Sequence, residues 1–161
     1  MEPVVEHCTL IEASPEEVYR ALATSQGLNA WFTTDSTVDA RKGGSIVFRW
    51  KDFGIDRIST EDGGPVLEAV PGKVFAFQWC PAGPEAPTTV RIELSPYGSG
   101  TRVHLTEKSF PPADKGLSAA LMVAVGWGEA LTLLKYYLEQ KDRYRHPCTW
   151  YEVAEAQAVG Q

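Results

Sequence analysis

Thr89-Val90-Arg91-Ile92-Glu93-Leu94-Ser95, a break at Pro96-Tyr97-Gly98-Ser99-Gly100, then Thr101-Arg102-Val103-His104-Leu105-Thr106-Glu107 decide the architecture. Val90, Ile92 and Leu94 alternate with Arg91 and Glu93, and Val103 and Leu105 alternate with Arg102 and His104. A period of two sends one face to a core and the other to water, as in an antiparallel hairpin. Upstream, Gly and Pro punctuate further short runs. Gly43-Gly44 precedes 45–51, Asp62-Gly63-Gly64-Pro65 precedes 66–70, and Pro71-Gly72 is a turn before 73–79. Residues 54–59 read as another strand, with apolar residues on both parities. A loop at 81–87 carries Pro81, Pro84 and Pro87.

Helices flank this region. Residues 3–13 read as a first strand. Ser14-Pro15-Glu16-Glu17 then starts a helix, with Ser14 as N-cap, Pro15 at the first helical position and Glu17 completing a capping box. A short second helix is expected over about 25–31. Pro111-Pro112 ends the sheet, and a long helix is expected over about 115–141. Its second half is amphipathic through Leu131, Leu134 and Leu138. Its first half, 117–128, has only Ser118 polar and so needs cover on every side. The sheet would take one side, leaving two or three of Ala119, Met122 and Val123 on the other. In the tail, 142–161, Trp150, Tyr151 and Val153 also need a surface. These two needs are expected to meet, within one chain or across a homodimer, while Val159-Gly160-Gln161 fray.

Composition bounds the function. The 161 residues suffice for one domain with a sizeable core. Lys plus Arg is 15 and Asp plus Glu is 21, giving a net charge of −6. An acidic chain with no basic run lacks the footprint for nucleic acid or an anionic membrane. No stretch reads as a membrane span or a signal peptide, so a cytoplasmic protein is expected. Cys8, Cys80 and Cys148 are three in number and far apart, which argues against disulfides or zinc and for buried, reduced thiols. The common catalytic motifs are absent.

The element order is strand, two short helices, about six antiparallel strands and a long helix. Along it, Ala13-Ser14-Pro15-Glu16-Glu17-Val18-Tyr19-Arg20-Ala21-Leu22 is followed by Leu28-Asn29-Ala30-Trp31-Phe32. Gly64-Pro65-Val66-Leu67-Glu68-Ala69-Val70-Pro71-Gly72-Lys73-Val74-Phe75 closes at Trp79, and Gly126-Trp127 precedes Leu131, Leu134 and Leu138. Over about residues 3–140 the chain resembles the START-like (Bet v 1-like, SRPBCC) superfamily, in the branch named for the activator of Hsp90 ATPase. The resemblance implies an α+β helix-grip fold, with a curved sheet of six to seven strands around the long helix. It also implies a cavity between them that holds apolar or amphipathic small molecules. The tail beyond 142 departs from the pattern.

Parity supplies candidate walls for such a cavity. Phe48 and Trp50 share one side of their strand, and Phe75, Phe77 and Trp79 share one side of theirs. With Trp31, Phe32, Val90, Ile92, Leu94, Leu121, Val125 and Trp127 they make an aromatic-rich interior. The same rings could instead fill the grip and leave no void. Gly126 and Gly128 flank Trp127 within a helix, where each costs about 1 kcal/mol relative to Ala. Close helix–sheet packing around the Trp is the expected reason, and approach of a ligand the alternative.

The candidate polar groups are Arg49, Asp56, Gln78, His104 and Glu107. Parity turns Arg49, Gln78 and His104 outward. Glu107 shares the inward parity of Val103 and Leu105, although its strand-end position favours water. No acid–base pair follows from spacing, and no catalytic residue, metal or cofactor is assigned. Binding of a small apolar or amphipathic ligand is the first reading. A regulator of an Hsp90-type chaperone, or another interaction module, is the second. An enzyme of the polyketide cyclase or hydrolase type is the third.

Overall fold

The computed structural model describes residues 1–160. The chain runs β1 Val5–Ile11, α1 Pro15–Ala23, α2 Ser25–Trp31, β2 Thr37–Val38, β3 Ser45–Phe53, β4 Ile58–Val70, β5 Val74–Trp79, β6 Thr88–Tyr97, β7 Gly100–Lys108, α3 Ala113–Glu139 and α4 Trp150–Val159. The seven strands form one antiparallel sheet in the order β1-β7-β6-β5-β4-β3-β2. With α3 as the long C-terminal helix, this is the expected α+β helix-grip fold.

The period-two reading sets the register. Val90 lies opposite Glu107, Ile92 opposite Leu105, and Leu94 opposite Val103. All six point into the core, where Leu94, the least buried, is 7% exposed. On the outer face, His104 Nε2 lies 2.7 Å from Glu6, and Arg91 pairs with Glu68 and Glu93. The capping box forms as read. Ser14 Oγ accepts from the Glu17 N–H at 3.2 Å, and Glu17 Oε2 accepts from the Ser14 N–H at 3.1 Å. Donation from the Ser14 N–H and hydroxyl to Oε2 holds the Glu17 carboxyl below its ordinary pKa.

Three expectations need correction here. Residues 54–57 are a turn rather than part of a strand, with Gly54 and Arg57 at positive φ. Asp62-Gly63-Gly64-Pro65 lies inside β4. A Cβ on Gly63 would come within 2.1 Å of the Ile46 carbonyl, and one on Gly64 within 2.4 Å of the Gln78 carbonyl. The glycines therefore serve close strand approach, which a sequence reading easily takes for a turn. Of the thiols, Cys148 is buried, but Cys8 is exposed on edge strand β1 and Cys80 is half-buried.

The inward stripe of α3 is Gly116, Ala119, Ala120, Val123, Trp127, Ala130, Leu131 and Leu134. Near its far end Lys135 Nζ donates to the Leu10 carbonyl at 2.5 Å. Ala119 and Val123 thus face inward, against expectation, and Leu121 and Val125 face out. By length and composition α3 could cross a membrane, contrary to the sequence reading; here it packs along the sheet.

The tail does not cover the first half of α3. Tyr144 packs edge-on against Tyr136 and Tyr137, and its hydroxyl donates to the Trp31 carbonyl. His146 Nε2 lies 3.0 Å from the Thr33 carbonyl, and its Nδ1 accepts from the Cys148 N–H at 3.1 Å. The Pro147 carbonyl accepts from Gly54 N–H, and the Arg57 guanidinium lies 4.1 Å over the Tyr151 ring. The tail thus docks on the end of α2 and the β3–β4 hairpin. It leaves Leu117, Leu121, Met122 and Val125 on α3 in solvent. Gln161, part of the terminus expected to fray, lies outside the described residues.

Candidate functional site

A cavity of about 270 Å³ opens between the middle of α3 and the β3–β4 end of the sheet. Phe32 at the end of α2, Trp50 and Phe53 of β3, Trp79 of β5 and Trp127 of α3 form its aromatic wall. Ile58, Thr60, Pro81, Ala119, Met122, Val123, Gly126, Glu129 and Ala130 complete it. The rings are inclined to one another rather than stacked. Phe32 is edge-on to Trp50 at 5.3 Å and to Phe53 at 5.9 Å, and Trp79 and Trp127 tilt at 43° to one another.

Glu107 lies behind this wall and is fully buried. Its Oε1 accepts from Trp79 Nε1 at 2.7 Å and from the Thr88 hydroxyl at 2.5 Å, and its Oε2 accepts from Trp127 Nε1 at 2.6 Å. The carboxylate therefore ties β5, β6, β7 and α3 together through three side-chain donors. Burial raises its pKa above the ordinary Glu range, the three hydrogen bonds opposing that rise. Asp62, half-buried nearby, accepts from the N–H groups of Gly63 at 2.7 Å and Cys80 at 2.9 Å. Burial raises its pKa as well.

The model of the family described as activator of Hsp90 ATPase homolog 1-like protein matches residues 12–139. The chain belongs to this AHSA1-like family. Solved structures agree. The Aha1 dimer from Colwellia psychrerythraea is 26% identical with a TM-score of 0.70, covering 86% of this chain and 97% of that one. A protein from Nitrosomonas europaea is 25% identical with a TM-score of 0.71, covering 88% and 97%. DynU16, of the dynemicin biosynthetic locus, is 18% identical with a TM-score of 0.72, covering 90% and 49%, and shares the fold alone. Among proteins of curated function no sequence match is found.

In this AHSA1-like domain the candidate residues take different places. Phe32, Trp50, Trp79 and Trp127 line the cavity. Trp31, Phe48, Phe77 and Ile92 instead surround a void of about 10 Å³, too small for a ligand. With buried Val90 and Leu94 they make filled core. Leu121 and Val125 are 63% and 75% exposed and do not line the cavity, because α3 is rotated from the phase assumed for its apolar half. Glu107 is buried rather than solvated, because three donors satisfy it at its strand end. Arg49 faces out and lies 3.4 Å from Glu61, Asp56 is exposed in the β3–β4 turn, and Gln78 bonds Thr89.

Gly126 changes meaning. A Cβ there would meet nothing within 4 Å, so close packing does not require glycine. Its missing side chain leaves room at the cavity wall instead. The same open space surrounds Gly128. Phe53, Ile58, Met122 and Glu129 were missed. Extrapolating the Leu134, Leu131 and Trp127 stripe backwards would have reached Val123 and Ala119. Residues at the β3–β4 turn carried no such signal.

Proposed function

We propose that this AHSA1-like chain binds a small apolar or amphipathic molecule in the cavity between the sheet and α3. The observation that carries the reading is an aromatic-walled space of about 270 Å³ opening beside a glycine with no packing role. Burial of apolar ligand surface would drive uptake at about 25 cal/mol per Å². Among the described residues Glu129 is the one titratable side chain on the wall, and no acid–base pair there supports catalysis. Uptake of the neutral dye N-phenyl-1-naphthylamine tests the reading. Gly126→Leu should abolish uptake while leaving the fold cooperative, and Leu121→Trp, on the outer face, should leave it unchanged. No uptake by the wild-type chain, or equal uptake by Gly126→Leu, overturns the reading.

A second reading, regulation of an Hsp90-type chaperone, is favoured by the family match over residues 12–139. A change in the turnover of a purified Hsp90-type ATPase on adding this chain would support it, and unchanged turnover would sink it. We also propose a homodimer through the outer face of α3. Leu117, Leu121, Met122 and Val125 are 53–75% exposed on that face, and the solved Colwellia relative is a dimer. Covering them on both copies buries on the order of 1,000 Å², about the area a specific interface should clear. Sedimentation should show a dimer that Leu121→Glu dissociates. A monomer at every concentration overturns it.

A further inference from the structure

We propose that the cavity selects a cation: its occupant carries a compact, weakly hydrated positive group, such as a quaternary ammonium, on an apolar body. This rests on the reading that the cavity binds a ligand at all, and it names the ligand's charge.

The wall holds five aromatic side chains, Phe32, Trp50, Phe53, Trp79 and Trp127. Phe32 stands edge-on to Trp50 and Phe53, and Trp79 and Trp127 are tilted to one another, so the rings do not form one flat slot. Aromatic faces are electron-rich and attract cations within about 6 Å of the ring centroid, most strongly when water is excluded. A quaternary ammonium gives up little hydration on entering such a space.

The indole N–H groups point to the same choice. Those of Trp79 and Trp127 are turned away from the cavity and donate to Glu107. Two donors that could have greeted an anion are thus committed elsewhere, and those rings meet the cavity through carbon. Donation to a carboxylate also leaves the indole richer in electrons.

Formal charge agrees. Among the described residues Glu129 is the one charged residue on the wall. Glu107 behind it has no Lys, Arg or His partner among the described residues, and Asp62 lies near enough to Glu107 to oppose its ionisation. Lys115, whose Nζ would lie 3.9 Å from a Cβ on Gly83, is not part of the wall. A carboxylate thus stands at the exposed edge of the wall, and among the described residues no cationic side chain lines the space. An anionic ligand would meet repulsion without a compensating charge.

The test compares three ligands of nearly one shape with the full chain. Benzyltrimethylammonium is the cation, neopentylbenzene its neutral carbon isostere, and phenylmethanesulfonate the anion. Binding is read by tryptophan fluorescence and by the indole N–H resonances of Trp50, Trp79 and Trp127. The expected result is a cation bound at least about tenfold more tightly than the isostere, with no binding of the sulfonate. An isostere bound as tightly as the cation, or a bound sulfonate, overturns the inference while the binding reading stands. Binding of none of the three overturns both. Trp50→Leu should reduce the cation-to-isostere ratio severalfold, and an unchanged ratio removes the aromatic basis of the inference. Exposed Glu129→Gln leaves the scaffold intact and should weaken the cation alone, and an unchanged cation affinity would count against the inference.

Discussion

Glu107 and Tyr19 are both buried polar groups on inward faces, and they differ in whether they are satisfied. Glu107 collects three donors, each of which would be orphaned by its loss. Glu107→Gln presents an NH₂ to groups that need an acceptor, and should destabilise the fold by about 1–3 kcal/mol. The pH dependence has a defined sign. Burial raises the pKa of Glu107, so the native state binds its proton more tightly than the unfolded chain does. Its stabilising contribution is full below the ordinary Glu value of about 4.3 and fades as pH rises through the native pKa. The deficit of Glu107→Gln in urea unfolding should therefore be larger at acid pH than at pH 8, and a deficit growing with pH would contradict this. Tyr19 is 8% exposed, and its hydroxyl has no partner among the described residues. Tyr19→Phe should match or exceed wild-type stability, by up to about 1 kcal/mol. A clear loss in the same assay would show that the hydroxyl is satisfied after all.

Elements with alternating or capped sequences were legible, and elements defined by what packs on them were not. The 89–107 hairpin and the Ser14 box were read directly, because period two and capping chemistry are local. The phase of α3 was not, because residues 117–128 are apolar on all sides and local pattern cannot choose a face. Half the cavity wall went unseen for that reason, and the continuous β4 because Gly63 and Gly64 mimic a turn. The tail was placed on the wrong surface because Trp150 and Tyr151 announce only a need for cover. The geometry of His146 makes the tail's docking sensitive to acid. Nδ1 accepts from the Cys148 N–H, so the ring is neutral with its proton on Nε2, facing the Thr33 carbonyl. Burial lowers the pKa of His146, so docking is favoured above the ordinary His value of about 6.5 and weakens as pH falls below it. Protease cleavage within 142–160 should accelerate below that pH, and His146→Gln should remove the acid dependence. Cleavage independent of pH in the wild type would refute this.

The whole molecule divides its apolar surface between a closed side and an open one. Truncation after Gln140 removes Tyr144, Pro147 and Cys148 from α2 and β3, and should lower the melting temperature. It should leave the outer face of α3 as exposed as before, since the tail does not cover it. An unchanged melting temperature would show that the tail contributes no stability. A last consequence belongs to β1, whose one neighbour in the sheet is β7, with Val5 opposite Glu107. On a ribosome this first strand emerges roughly 100 residues before its partner, a wait of about 5–20 s at ordinary elongation rates. Throughout that interval Val5, Leu10 and Ile11 lack the strand they pair with in the finished sheet. Closure of the sheet is thus a late event in synthesis, timed by the arrival of the strand that also carries the buried carboxylate.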